Sequence, residues 1–337
     1  MKPRLPANSC LSRRIGPSLS RLVRPPDVET VAASPAGELS PSLRIVDVVA
    51  FAAPALEGEG RHAPNVHWAA RAARRGVRRS SARPRDMDSA PPWTLASPAE
   101  PPPLATGAVH VWRIRLDPPG ELRDAWELLS DAERGRAARF VQEHHRRRFV
   151  CAHAALRRIL AGYTARRARE LEFTTGPQGK PALVDPDGGS RRRLEFNLSH
   201  SGDLGLVALA WERPVGVDLE RWEREMDHLE LAKRFFSPAE RASLQALASR
   251  RDDLVHGFFA AWSRKEAYLK ARGEGVMRGL HHFDVSLAPG EPARLLADRL
   301  DAAIDGWRMR SIVPDRGFSG AIVVADPFEE LLLLEER

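Results

Sequence analysis

Apolar and polar positions fall into a periodic pattern only from about residue 107 onward. In the first hundred residues apolar side chains keep no sustained spacing, and Pro3, Pro6, Pro17, Pro25 and Pro26 interrupt any helical stripe. Beyond that point Val109, Val111 and Ile114, with Trp112, predict a first strand, and 122–129 a short helix. Ser130-Asp131-Ala132-Glu133 has the form of a capping box, which predicts a further helix through Phe140. Phe149, Ala152, Leu156, Ile159 and Leu160 then share one face of a long helix. Short strands are expected at 171–174, 181–184, 194–198 and 204–211.

The order then recurs. Residues 215–219 predict a strand and 229–236 a helix. Ser237-Pro238-Ala239-Glu240 starts another, with Ser at the N-cap, Pro at the first position and Glu at the third. The longest helix spans 254–270, and strands follow at 283–287, 294–296, 307–312 and 319–324. Each half reads as strand, helices, then a strand meander, with no repeat visible residue by residue. The expected architecture is α+β, with subdomains at 106–213 and 214–330.

Charge and proline content separate the leading segment from this body. The chain has 337 residues and a formal net charge of +7. Residues 1–106 hold 15 Lys+Arg against 9 Asp+Glu, and the rest 37 against 36. Sixteen of the 27 prolines precede residue 107. Such a composition buries too little apolar surface to offset its ordering entropy, so residues 1–105 are expected to be mostly disordered. The same segment admits a basic nucleic-acid arm, an organellar transit peptide, or a chain that starts internally, for instance at Met87. The near-neutral body argues against nucleic-acid binding by the fold itself. Two cysteines, Cys10 and Cys151, give no disulfide framework and favour a reducing, cytoplasmic setting. No stretch approaches 18 apolar residues, so no membrane span is expected.

Three segments carry candidate chemistry. In Gly216-Val217-Asp218-Leu219-Glu220, strand alternation puts Asp218 and Glu220 on one face and Val217 and Leu219 on the other. Neighbouring carboxylates repel unless a cation lies between them; an exposed strand face is the plain alternative. In the long helix Leu254, Phe258, Trp262 and Leu269 make the buried stripe, Glu266 borders it, and Lys270 lies one turn on. An ordinary Glu–Lys surface pair has the same spacing. Finally, Leu194, Phe196 and Leu198 alternate on a strand, and Ser199-His200-Ser201-Gly202 follows as a polar cluster at its end, where binding loops start. There is no G-x-S-x-G elbow, no G-x-x-x-x-G-K-[ST] phosphate loop and no Cys/His cluster for zinc.

Together these segments resemble the 4′-phosphopantetheinyl transferase superfamily in its long, Sfp-type branch. The matching string is Gly179-Lys180-Pro181, Phe196-Asn197-Leu198-Ser199-His200-Ser201, Gly216-Val217-Asp218-Leu219-Glu220, Phe235-Phe236-Ser237 with Glu240, and Trp262 with Lys265-Glu266-Ala267 and Lys270. Trp with Lys-Glu-Ala is similar to the W/KEA subgroup. The resemblance spans about 108–325 and implies transfer of 4′-phosphopantetheine from coenzyme A to a serine of an apo acyl or peptidyl carrier protein, with release of adenosine 3′,5′-bisphosphate. It implies Mg²⁺ held by Asp218, Glu220 and Glu266, and such oxygen ligands suit that ion. Glu266, or a metal-bound water in its place, would deprotonate the carrier serine, and Lys270 would stabilise the leaving phosphate. Lys180, Ser199 and His200, with Arg148 by a looser match, would contact coenzyme A. The implied fold is two similar α+β subdomains related by a pseudo-twofold axis, in a monomer with no nucleic-acid or membrane partner.

Overall fold

The computed structural model describes residues 92–118, 120, 122–185, 192–275 and 279–336. The expected disorder of residues 1–91 lies outside the described residues. The remainder of that segment, 92–105, is structured. It carries a short strand, β1 (Thr94–Ala96), and Trp211 Nε1 donates to the Leu104 carbonyl at 3.0 Å.

The fold is mixed helix and sheet. Its first half runs β2 (Ala108–Arg115), α1 (Arg123–Leu128), α2 (Asp131–Ala137), α3 (Glu143–Thr164), then β3 (Phe173–Thr175), β4 (Pro181–Leu183), β5 (Leu194–Ser201) and β6 (Leu204–Trp211). The second half runs β7 (Val215–Arg221), α4 (His228–Phe235), α5 (Pro238–Leu247), α6 (Arg251–Arg272), then β8 (Phe283–Val285), β9 (Leu295–Asp298), β10 (Trp307–Ile312) and β11 (Phe318–Ala325). A last strand, β12 (Glu330–Glu336), returns to the first half. There it lies parallel between β1 and β2, in the sheet order β1-β12-β2-β6-β5. The second sheet is β10-β11-β7.

Strand alternation sorts the side chains into layers. On one face of the first sheet Trp112, Ile114, Phe196 and Val207 pack against Ala152, Leu156, Ile159 and Leu160 of α3. On the other face Val109, Val111, Leu206 and Ala208 meet Val215, Val217, Leu219 and Ile322 of the second sheet. The far side of that sheet, with Ala321 and Val323, packs on Phe258, Trp262 and Ala267 of α6. The layers thus run helix, sheet, sheet, helix, and Asp218 and Glu220 face α6 as alternation predicts.

The two halves repeat at the residue level, a regularity that the sequence alone had not revealed. Both α2 and α5 open with a complete capping box, Ser130 with Glu133 and Ser237 with Glu240. Each box glutamate ion-pairs a buried cation at the same position along a 22-residue helix: Arg157 in α3 at 2.7 Å, and Lys265 in α6 at 2.8 Å. Each cation also donates to two carbonyls three residues apart, Ala168 and Leu171 for Arg157, and Leu280 and Phe283 for Lys265. The box carboxylate therefore caps its helix and anchors the long helix behind it. Breaking such a buried pair from one side costs about 3–5 kcal/mol.

Candidate functional site

The site forms where β7 meets α6. Asp218, Glu220 and Glu266 are all buried, at 1, 6 and 7% exposure. What allows the helix so close is Gly216. A Cβ there would lie 2.2 Å from both the Ala267 carbonyl oxygen and the Ala271 nitrogen. With no side chain on β7 at that point, the α6 backbone rests directly on the strand, and Glu266 and Lys270 come down beside the two strand carboxylates.

Lys270 does not act as a surface partner of Glu266. Its Nζ reaches Asp218 Oδ1 at 2.5 Å and donates to Ser199 Oγ at 3.0 Å. Burial works against its charge, but Asp218, Glu266 and Glu220 outweigh it and hold its pKa above the usual lysine value. Burial, reinforced by the Asp218 charge, pushes the Glu266 carboxyl up to about 7. Glu220 is raised well above the carboxylate range by burial first, then by Asp218 and Glu266.

The three acids are thus electrostatic neighbours. They are not drawn into a ready ligand set: among the described residues, no three His, Cys, Asp or Glu side chains are grouped as a metal would require. The donor chemistry nevertheless fits a hard divalent cation. Asp218 Oδ2 and Glu266 Oε1 are buried oxygens without a hydrogen-bond partner, an arrangement that a cation would relieve.

The residues expected to grip coenzyme A are divided. Ser199-His200-Ser201 lies inside β5 and does not form a loop after it; the turn comes at Gly202, φ +59°. Alternation therefore sends Ser199 and His200 to opposite faces. Ser199 points at β7, where it donates to Asp218 Oδ1 at 3.0 Å. His200 shares the α3 side with Leu198. Burial lowers its pKa to about 4, helped by the positive fields of His153, Lys270, Arg148 and His145. Arg148 makes a two-point contact with Asp117 Oδ2, at 3.2 and 3.0 Å. Lys180 Nζ donates to the carbonyls of Val215 (2.9 Å) and Ala271 (3.3 Å), tying the β3–β4 turn to both β7 and α6. Burial lowers its pKa to about 8.

Asn197 and Ser201, which the sequence placed in the matching string without a role of their own, also act at this site. Val217 N–H donates to Asn197 Oδ1 at 2.9 Å, and Ser201 donates to Glu220 Oε2 at 3.3 Å. The available signal was the run of polar side chains at alternate positions of β5.

Comparison with known proteins adds a second line of evidence. A family model described as the 4′-phosphopantetheinyl transferase superfamily matches residues 214–314, and one described as 4′-phosphopantetheinyl transferase, N-terminal, matches 117–212. The chain is 40% identical over 223 residues to the 4′-phosphopantetheinyl transferase HetI of Nostoc sp., covering 66% of this chain and 90% of that protein. It is 31% identical over 161 residues to the 4′-phosphopantetheinyl transferase Sfp of Bacillus subtilis, covering 48% of this chain and 67% of that protein.

Proposed function

The chain belongs to the 4′-phosphopantetheinyl transferase superfamily, and from that premise we propose that it transfers the 4′-phosphopantetheine group of coenzyme A to a serine hydroxyl of an apo acyl or peptidyl carrier protein, with Mg²⁺ and with release of adenosine 3′,5′-bisphosphate. The observation that carries the reading is the buried Asp218–Glu220–Glu266 group with its two unpartnered carboxylate oxygens.

The carrier serine oxygen bonds to the phosphorus that bears the pantetheine arm, and the bond from that phosphorus to the bridging oxygen of the adenosine bisphosphate breaks. Glu266 takes the serine proton, directly or through water, on whichever carboxylate oxygen the cation would leave free; a carboxyl pushed up to about 7 is matched to that task. Lys270, anchored on Asp218 and Ser199, places an ammonium beside the phosphate oxygens that gain charge. Asp218 Oδ2, Glu220 and Glu266 are the groups that would hold Mg²⁺, which when bound neutralises pyrophosphate charge. His200, Lys180 and Arg148 would contact coenzyme A from the first half, Arg148 after exchanging Asp117 for a phosphate.

The protein is proposed to act as a cytoplasmic monomer with carrier proteins as partners, independently of nucleic acid or membrane. Among the described residues no helix is long and apolar enough to cross a membrane. Mass spectrometry of an apo carrier incubated with the protein, coenzyme A and Mg²⁺ tests the reading. A gain of one phosphopantetheine that EDTA abolishes is expected. No gain on fatty-acid, polyketide and peptide-synthetase carriers with folded protein would overturn it.

A further inference from the structure

β5 and β7 are facing edges of the two sheets, and no backbone ladder joins them. Side chains of β5 take the place of one. Val217 N–H donates to Asn197 Oδ1 at 2.9 Å, Leu219 N–H to Ser199 Oγ at 3.2 Å, and Arg221 N–H to Ser201 Oγ at 3.1 Å. The separation is 20 residues in every pair, so the strands run parallel and in constant register. Without Asn197 and Ser199 the open edge of β7 would bury the Val217 and Leu219 amides without a partner, which folded proteins avoid, while the Arg221 amide lies at the exposed end of the strand.

The choice of side chain follows what stands opposite. At Val217 only an acceptor is needed, and the Asn197 amide oxygen supplies it. Leu219 and Arg221 each follow a carboxylate, and there β5 presents hydroxyls. A backbone carbonyl could satisfy those amides but could not donate. Ser199 accepts from Leu219 and also donates to Asp218 Oδ1 at 3.0 Å; Ser201 accepts from Arg221 and donates to Glu220 Oε2 at 3.3 Å. Ser199 Oγ accepts from Lys270 Nζ as well, at 3.0 Å. A hydroxyl has one proton and two lone pairs. Those of Ser199 are all committed, to Asp218, Leu219 and Lys270, which leaves nothing for a direct contact with coenzyme A.

We propose that Asn197, Ser199 and Ser201 are positioning residues, a side-chain ladder that stands in for a strand along the open edge of β7 and aims Asp218 and Glu220 at α6. The work assigned to those carboxylates rests on the function proposed above. The ladder does not, and its test reads amides as well as transfer.

The experiment compares the full chain with Ser199→Ala, Ser199→Thr and Ser201→Ala, measuring amide hydrogen exchange by NMR and transfer kinetics. Ser199→Ala is expected to speed exchange of the Leu219 amide at least tenfold while amides in the β10–β11 pairing keep wild-type rates. Its kcat should fall at least tenfold with KM for coenzyme A changed less than threefold. Ser199→Thr, which keeps the hydroxyl, should restore both. Ser201→Ala should do the same to the Arg221 amide, and carries the test if Ser199→Ala does not fold. Unchanged Leu219 exchange together with a raised KM for coenzyme A would make Ser199 a direct substrate contact and overturn the proposal. Faster exchange throughout both sheets at unchanged kcat would make the ladder merely structural and overturn it too. If the wild type transfers nothing, the proposed function fails, and selective exchange at Leu219 and Arg221 alone decides the ladder.

Discussion

Gly216→Ala probes how closely α6 must lie on β7. The added Cβ would sit 2.2 Å from the Ala267 carbonyl oxygen and the Ala271 nitrogen and 2.8 Å from the Ala271 Cα, whereas ordinary contact begins near 3.4 Å. All three atoms are helix backbone, so no side chain can turn aside, and the helix must withdraw by about 1 Å to relieve the overlap. Overpacking of this kind costs ~1–3 kcal/mol, equivalent to a fall in Tm of about 5 °C in a protein of this size. The functional effect should exceed the structural one. Glu266 and Lys270 would move with α6 while Asp218 and Glu220 stay on β7, and a 1 Å misplacement of catalytic groups costs roughly 100-fold in rate. Calorimetry and carrier-loading kinetics on the same samples measure the two losses. Gly135→Ala is the control: it lies in α2 with nothing within 4 Å of the added Cβ. It should leave transfer unchanged and add about 0.5–1 kcal/mol through helix propensity. A Gly216→Ala protein with wild-type Tm and kcat would refute the close-approach argument.

Glu266→Gln keeps the shape of the side chain but removes its charge, so transfer should fall ~100-fold or more with circular dichroism unchanged; full activity would sink the assignment. Lys265→Met leaves the Glu240 carboxyl buried without its cation, and should lower stability by ~3–5 kcal/mol in denaturant titration, while the double variant with Glu240→Gln should recover part of the loss. Glu133 is held at about 2, below the ordinary 4.5: burial opposes its charge, but hydrogen bonds from His153, Arg157 and Ser130 win. Its contribution should be complete above about pH 4.5 and disappear as pH falls toward 2, so the stability gap between wild type and Glu133→Gln should close across that window. Starting the chain at residue 106 removes β1 and the contact of Pro98 and Pro101 with Gly162, and should lower Tm relative to a chain starting at residue 92.

Much of the site was legible because its signals are local. Alternation alone put Asp218 and Glu220 on one face, and helical spacing put Glu266 at the edge of the buried stripe. The capping boxes were visible too, since serine and glutamate lie three residues apart. Their second role was not, because Glu133 and Arg157 meet across two helices and no periodicity links them. Ser199-His200-Ser201 looked like a loop because polar residues end most strands. In fact β5 continues because Ser199, His200 and Ser201 pair with Leu206, Gly205 and Leu204 of β6, while the Ser199 and Ser201 hydroxyls accept the Leu219 and Arg221 amides of β7. β12 was missed for a similar reason: Leu331–Leu334 alternate with nothing, and it is pairing with residues 108–113 on one side and 94–96 on the other that makes this segment a strand.

The position of β12 also sets a schedule for synthesis. Its place in the first sheet lies between β1 and β2, yet more than two hundred residues separate it from β2. While the ribosome is still translating, β2 must wait with one edge open, and an open apolar edge invites pairing with other chains. The half of the protein made first is therefore the half completed last, and nascent chains stalled before residue 330 should be the species that need chaperone protection.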